Sequence, residues 1–126
     1  MAKRMETRPT KAELAILVVL WRKGTATVRE VHEELGGDGR TGYTTTLKLM
    51  QIMMGKKLLR RDERNRSHVY RPADAPNETQ RRLVAEMINR VFSGSAARMI
   101  LQALSAGDIS KNEMEQIQKL IDEHRK

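Results

Sequence analysis

Cysteine is absent from this 126-residue chain. That excludes disulfides, thiolate metal sites and cysteine catalysis. Aromatic residues are scarce: Trp21, Tyr43, Tyr70 and Phe92 are the whole set, which argues against single-strand binding by base stacking. The longest apolar run, Leu14–Trp21, is far short of a membrane span, and the N-terminus lacks a charged segment leading into an apolar stretch. The sequence therefore predicts a soluble, cytoplasmic protein without membrane insertion. Catalytic constellations are missing too. His32-Glu33-Glu34 begins like a zinc helix, but Gly36 stands where the second histidine is needed. His32, His68 and His124 fall on separate elements. Gly36-Gly37-Asp38-Gly39 lacks the Lys-Ser/Thr ending of a phosphate loop. Neither an enzyme, a metal nor a cofactor is expected.

What is present in excess is positive charge, and it is unevenly placed. The formal net charge is +8, and residues 73–126 carry none of it. Within 40–71, nine Lys/Arg face only Asp62 and Glu63. A basic head joined to a neutral tail suggests a reader of polyanions with a separate interaction module.

The head has a definite order of elements. Thr10-Lys11-Ala12-Glu13 has the form of a capping box, followed by Leu14, Leu17, Val18 and Trp21 at helical spacing and a stop at Gly24. Thr27-Val28-Arg29-Glu30 opens a second helix with Val28, Val31 and Leu35 as its stripe, closed by Gly36-Gly37. A third helix is predicted from Thr41–Tyr43 to about Lys57, with Thr46, Met50 and Met53 facing the core. Leu58–Glu63 and Ser67–Arg71 read as a hairpin with its tip at Glu63–Arg66, and Pro72 stops the second strand. Helix, helix, helix, strand, strand is the order of a winged helix-turn-helix. In that architecture the third helix presents side chains to base edges and the basic hairpin lies along the phosphate backbone. Thr44, Thr45 and Lys48 occupy the first turns of the predicted reader, and Arg64 and Arg66 the hairpin tip. Each has a plainer reading: the threonines as caps or core, Tyr43 as packing at the helix entrance, the arginines as a solvated turn, His68 as a structural strand residue.

In the tail, Pro76 precedes Asn77, a predicted N-cap. Leu83, Val84, Met87, Ile88 and Val91 repeat at helical spacing until Ser93-Gly94-Ser95. Ala97–Leu104 is a short apolar helix, and Ser110-Lys111-Asn112-Glu113 opens a last one carrying Met114, Ile117, Leu120 and Ile121. A tail of this length is marginal alone, and burial against a partner chain would relieve that.

Several segments together resemble the penicillinase-repressor (BlaI/MecI-type) family of winged-helix regulators, over roughly residues 8–124: TKAELAILVVLWRKG, TATVREVHEEL, GYTTTLKLMQIMMGKKLL, RRDERNRSHVYRP and INRVFSGSAARMILQAL. The resemblance implies a mainly α fold with a small β-hairpin, a winged helix-turn-helix over 1–72 and a helical dimerisation region over 73–126. It implies a homodimeric transcriptional repressor on a pseudo-palindromic double-stranded DNA operator. DNA contacts would come from Thr27, Arg40, Thr41, Tyr43, Thr44, Thr45, Lys48, Arg64, Arg66 and His68. Dimer contacts would come from Val84, Met87, Ile88, Val91, Met99, Ile100, Leu104, Ile117, Leu120 and Ile121. Two departures stand out. Lys56-Lys57 replaces the family's frequent Lys-Gly before the hairpin. Gln102-Ala103 stands where antibiotic-responsive members carry the Asn-Phe bond cut after a membrane-bound sensor is triggered. The competing readings are a winged-helix protein-interaction module, a nonspecific DNA-coating protein and a small-molecule-responsive repressor.

Overall fold

The computed structural model describes residues 8–37, 42–64 and 66–125. The elements are α1 (Lys11–Lys23), α2 (Val28–Glu34), α3 (Tyr43–Gly55), β1 (Leu59–Asp62), β2 (Val69–Pro72), α4 (Pro76–Val91), α5 (Ala96–Ala106) and α6 (Lys111–His124). The chain divides into two compact units, Met1–Gln80 and Arg81–Lys126, so the division falls inside α4.

In the first unit, local chemistry sets the helix starts. Thr10 accepts from the Glu13 amide, and the Glu13 carboxylate accepts from the Thr10 amide. Thr27 and Glu30 repeat the same reciprocal box at α2. The core is built from Ile16, Leu17, Val19 and Leu20 of α1, Val28 and Val31 of α2, and Met50 and Met53 of α3. Leu58, Leu59, Ala26 and Tyr70 complete it. Thr46, Met50 and Met53 are buried, as their spacing predicts. Two expectations are corrected. Val18 and Leu35 are exposed, while Ile16 and His32 are buried. Leu14–Trp21 is apolar without interruption, so periodicity does not choose which arc of α1 faces inward. Packing against α2, α3 and β2 chooses it.

The strands pair antiparallel, Leu59 opposite Pro72 and Asp62 opposite Val69. A third segment joins this ladder: Ala26, between α1 and α2, exchanges both main-chain hydrogen bonds with Tyr70, at 3.0 and 2.8 Å. The helix-turn-helix and the wing are thereby tied at the wing's root.

The exit from α3 answers the question raised by Lys56-Lys57. The Leu58 amide reaches back to the Met53 carbonyl and the Lys57 amide to the Met54 carbonyl, and Lys57 sits at φ 65°. This reversal favours glycine at the left-handed position. A lysine there costs about 1 kcal/mol from clash of its Cβ with the backbone. Lys57→Gly is therefore expected to raise the unfolding free energy by roughly 0.5–1 kcal/mol in urea titrations. Unchanged or lower stability would show that the lysine side chain makes good the strain.

Pro76 is the first residue of α4, which places Asn77 inside the first turn instead of at the cap. Proline suits that place because its fixed φ is helical and its missing N–H needs no partner. In the second unit, α5 and α6 start at Ser95 and Ser110, whose hydroxyls accept from the Arg98 and Glu113 amides. Neither helix buries a single residue.

Candidate nucleic-acid interface

Helix α3 divides cleanly around its circumference. Thr46, Met50 and Met53 face the core, and Leu47, Leu49 and Met54 are half-buried. Thr44, Thr45, Lys48, Gln51 and Ile52 are exposed. At 3.6 residues per turn these five lie within an arc of about 120°, with Lys48 near its centre. Thr44, Thr45 and Lys48 thus share one outward face. Gln51 and Ile52 extend that face, and the spacing of three and four from Lys48 is the signal that marks them in the sequence.

Tyr43 is placed differently. It sits about 140° round the helix from Lys48, and its ring meets His32 edge-on at 5.9 Å between centroids. The Arg29 guanidinium lies over the same ring at 4.9 Å. Buried His32 also shares a 3.2 Å hydrogen bond between its Nδ1 and the Thr46 hydroxyl. This cluster ties α2 to the start of α3, so Tyr43 packs beside that helix pair and lies off the outward face. Arg40 and Thr41 lie outside the described residues.

At the wing, Asp62 holds Arg64. The guanidinium donates to both carboxylate oxygens, at 2.6 to 3.0 Å, and the Arg64 amide donates to Oδ1 at 3.0 Å. The guanidinium first, then the amide, hold the Asp62 carboxyl well below the usual range, at about 2. Asp62 is therefore ionised at neutral pH and competes with any phosphate for Arg64. Arg61 is similarly engaged: it pairs with Glu63, donates to the Tyr70 hydroxyl at 3.4 Å and lies over the Tyr70 ring. Arg66 and Lys48 are exposed and make no ion pair among the described residues. Of the basic stretch before the hairpin, Lys56 is also committed. Its ammonium is bound to the buried Glu13 carboxylate at 2.7 Å.

A concavity of about 430 Å³ lies between α2, the start of α3 and the hairpin. It brings together Thr27, Tyr43, Arg66 and His68, with Glu30 and Glu33 also on its wall. Thr27 accepts from the Glu30 amide, and its hydroxyl proton remains free to donate. The Thr27 amide hydrogen bond holds the Glu30 carboxyl below its ordinary value, so this wall carries negative charge beside Arg29 and Arg66.

In the second unit the apolar stripes are open. Val84, Met87, Val91, Ile100, Leu104, Leu120 and Ile121 are exposed, together with Leu101 and Met114, which are not among the expected dimer contacts although Met114 belongs to the predicted last stripe. Ile88, Met99 and Ile117 are half-buried. A groove of about 480 Å³ runs between α5 and α6, lined by Ile100, Leu104, Met114, Ile117 and Ile121. Among the described residues no cluster of acidic and histidine side chains could hold a metal, and no helix is long and apolar enough to cross a membrane.

Three helices closed by a two-stranded hairpin, with an outward polar face on the third helix and a helical tail following in sequence, define the winged-helix class of regulator. The chain belongs to the penicillinase repressor family, whose profile matches residues 9–123. This is a family of transcriptional repressors and not of enzymes. The chain is 23% identical over 114 residues to the penicillinase repressor of Bacillus licheniformis, covering 90% of this chain and 89% of that protein. It is 34% identical over 73 residues to the transcriptional regulator BlaI of Mycobacterium tuberculosis, strain CDC 1551 / Oshkosh, covering 57% of this chain and 53% of that protein.

Proposed function

We propose that the protein is a homodimeric, sequence-specific repressor in which residues 1–72 bind one half-site of a pseudo-palindromic operator and residues 73–126 dimerise. The observation that carries the reading is the outward face of α3, where two hydroxyls and a lysine without an ion pair among the described residues stand opposite the core-packed Thr46, Met50 and Met53. Thr44, Thr45 and Lys48 read base edges. Arg66 contacts phosphate from the wing, Thr27 and His68 border the same trough, and Tyr43 holds the reader in place. Arg64 reaches phosphate only by leaving Asp62. Repression follows from occupancy of a promoter. Relief follows from loss of the tail, through a sensor-linked protease or otherwise. Gln102 and Ala103 are exposed but lie inside α5, so a cut there requires that helix to unwind locally.

Selection of fragments from sheared genomic DNA at about 150 mM salt tests the reading, because that salt suppresses much nonspecific electrostatic binding. Enrichment of a few promoter fragments sharing an inverted repeat is expected. Retention without enrichment would indicate a DNA-coating protein, and no retention a protein-interaction module. On the enriched fragment, Lys48→Ala is expected to cost about 1–3 kcal/mol and to relax the preference at one position. Arg66→Ala should weaken specific and random DNA alike and lower the salt slope by about one unit. Identical losses on both DNAs for both variants would remove α3 as the reader.

A further inference from the structure

The reading face does not end at Lys48. We propose that Ile52 continues it, packing against the C5-methyl group of a thymine in each half-site; the inference rests on the proposed DNA reading by α3. Five other large apolar side chains of α3, from Leu47 to Met54, are buried or half-buried, and Ile52 alone among them stands 42% exposed. It lies one turn beyond Lys48 and about 40° round the helix from it, on the same outward arc as Thr44 and Thr45. From Thr44 to Ile52 the helix rises about 12 Å, which matches three to four base pairs at about 3.4 Å each. The residues between therefore fit along one stretch of major groove.

The chemistry narrows the target. Base edges in the major groove offer hydrogen-bond donors and acceptors, and the thymine methyl is the apolar group among them. A branched aliphatic side chain held outward in a polar, basic arc has that methyl as its complement.

Gly55 supplies a second, independent observation. It follows Thr44, Lys48 and Gln51 along the same line, and a Cβ built there would meet nothing within 4 Å. Gly55 keeps ordinary helical geometry, so the protein's own packing does not call for glycine. A bare helix surface at this end leaves room for the groove wall, so that the Ile52 side chain can reach the bases.

The test uses the full chain and a randomised 30-base-pair duplex library made in two forms, one with thymine and one with deoxyuridine, which lacks only the methyl. Wild-type protein is expected to select a motif with a required T·A pair in each half from the thymine library, and the same motif without that requirement from the deoxyuridine library. Replacing that thymine alone should weaken wild-type binding about fourfold per half-site, the worth of one buried methyl group. Ile52→Ala should lose the requirement in both libraries, bind the two forms equally, and keep the positions set by Thr44, Thr45 and Lys48. Ile52→Val, which keeps a branched side chain, should retain the requirement. The same requirement in both libraries, or an unchanged motif for Ile52→Ala, would overturn the assignment of Ile52 while leaving α3 as the reader. No motif from either library would overturn DNA reading by α3 and this inference with it.

Discussion

Lys56→Met is expected to destabilise the first unit by about 3 kcal/mol, because it leaves a buried carboxylate without its counter-charge. Glu13 is 2% exposed, and its Oε1 accepts from Lys56 at 2.7 Å and from the Thr10 amide at 2.9 Å. The Lys56 ammonium also donates to the Arg8 carbonyl at 3.4 Å. With the lysine gone, the Thr10 amide alone remains among the described residues for a charge held out of water. Glu13→Gln in the same chain should restore much of the loss, since glutamine keeps the capping box without the charge. Urea unfolding followed by Trp21 fluorescence measures the four corners of the cycle, and the two substitutions should be strongly non-additive because the residues touch. A single-variant loss below about 0.5 kcal/mol would rule out the pair as a structural tie. The salt slope of DNA binding should not change, because this ammonium is already occupied by Glu13.

Disrupting the tail is expected to cost more in function than in folding of the head. Ile100→Glu combined with Ile121→Glu places two charges in the groove between α5 and α6. The pair should leave single half-site affinity unchanged and lower affinity for the full inverted repeat about 10²–10⁴-fold, the avidity contributed by the second head. Helices α5 and α6 bury no residue within the chain, and the stripes on α4, α5 and α6 remain open. A second copy offers the same stripes, and a stable closure between copies would bury about 1,000 Å² or more. Sedimentation equilibrium gives the direct check: dimer for the wild type at micromolar concentration and monomer for the variant. A monomeric wild type would remove the dimer from the proposed function.

Local signals were legible in the sequence wherever a single turn of chain carries the physics. Both capping boxes of the head, the glycine stops and the inward Thr46, Met50 and Met53 follow from spacings of three and four residues. Contacts between distant segments were not. Glu13 and Lys56 are 43 residues apart, and each alone reads as a surface charge. Nothing in either segment announces that they meet. The same holds for Ala26 and Tyr70, whose pairing needs the folded head. The face of α1 was ambiguous because an unbroken apolar run satisfies several helical registers. At the candidate site, charge located the wing but not which arginines remain free. Asp62 and Glu63 are only two acids among many bases, yet they engage Arg64 and Arg61 and leave Arg66 as the wing's unpaired cation among those placed at its tip.

The bridge between Ala26 and Tyr70 also sets a length. Both main-chain groups of Tyr70 are fixed to the helical body, and Arg66 lies four residues earlier in the chain. Four residues of fully extended chain reach at most about 14 Å, which bounds how far from its anchor the guanidinium's backbone can travel. One residue inserted in that segment lengthens the tether by about 3.4 Å, which is close to the rise of one base pair along a duplex. The hairpin is in this sense a gauge: under the proposed function, its residue count sets which phosphate along the backbone Arg66 would meet.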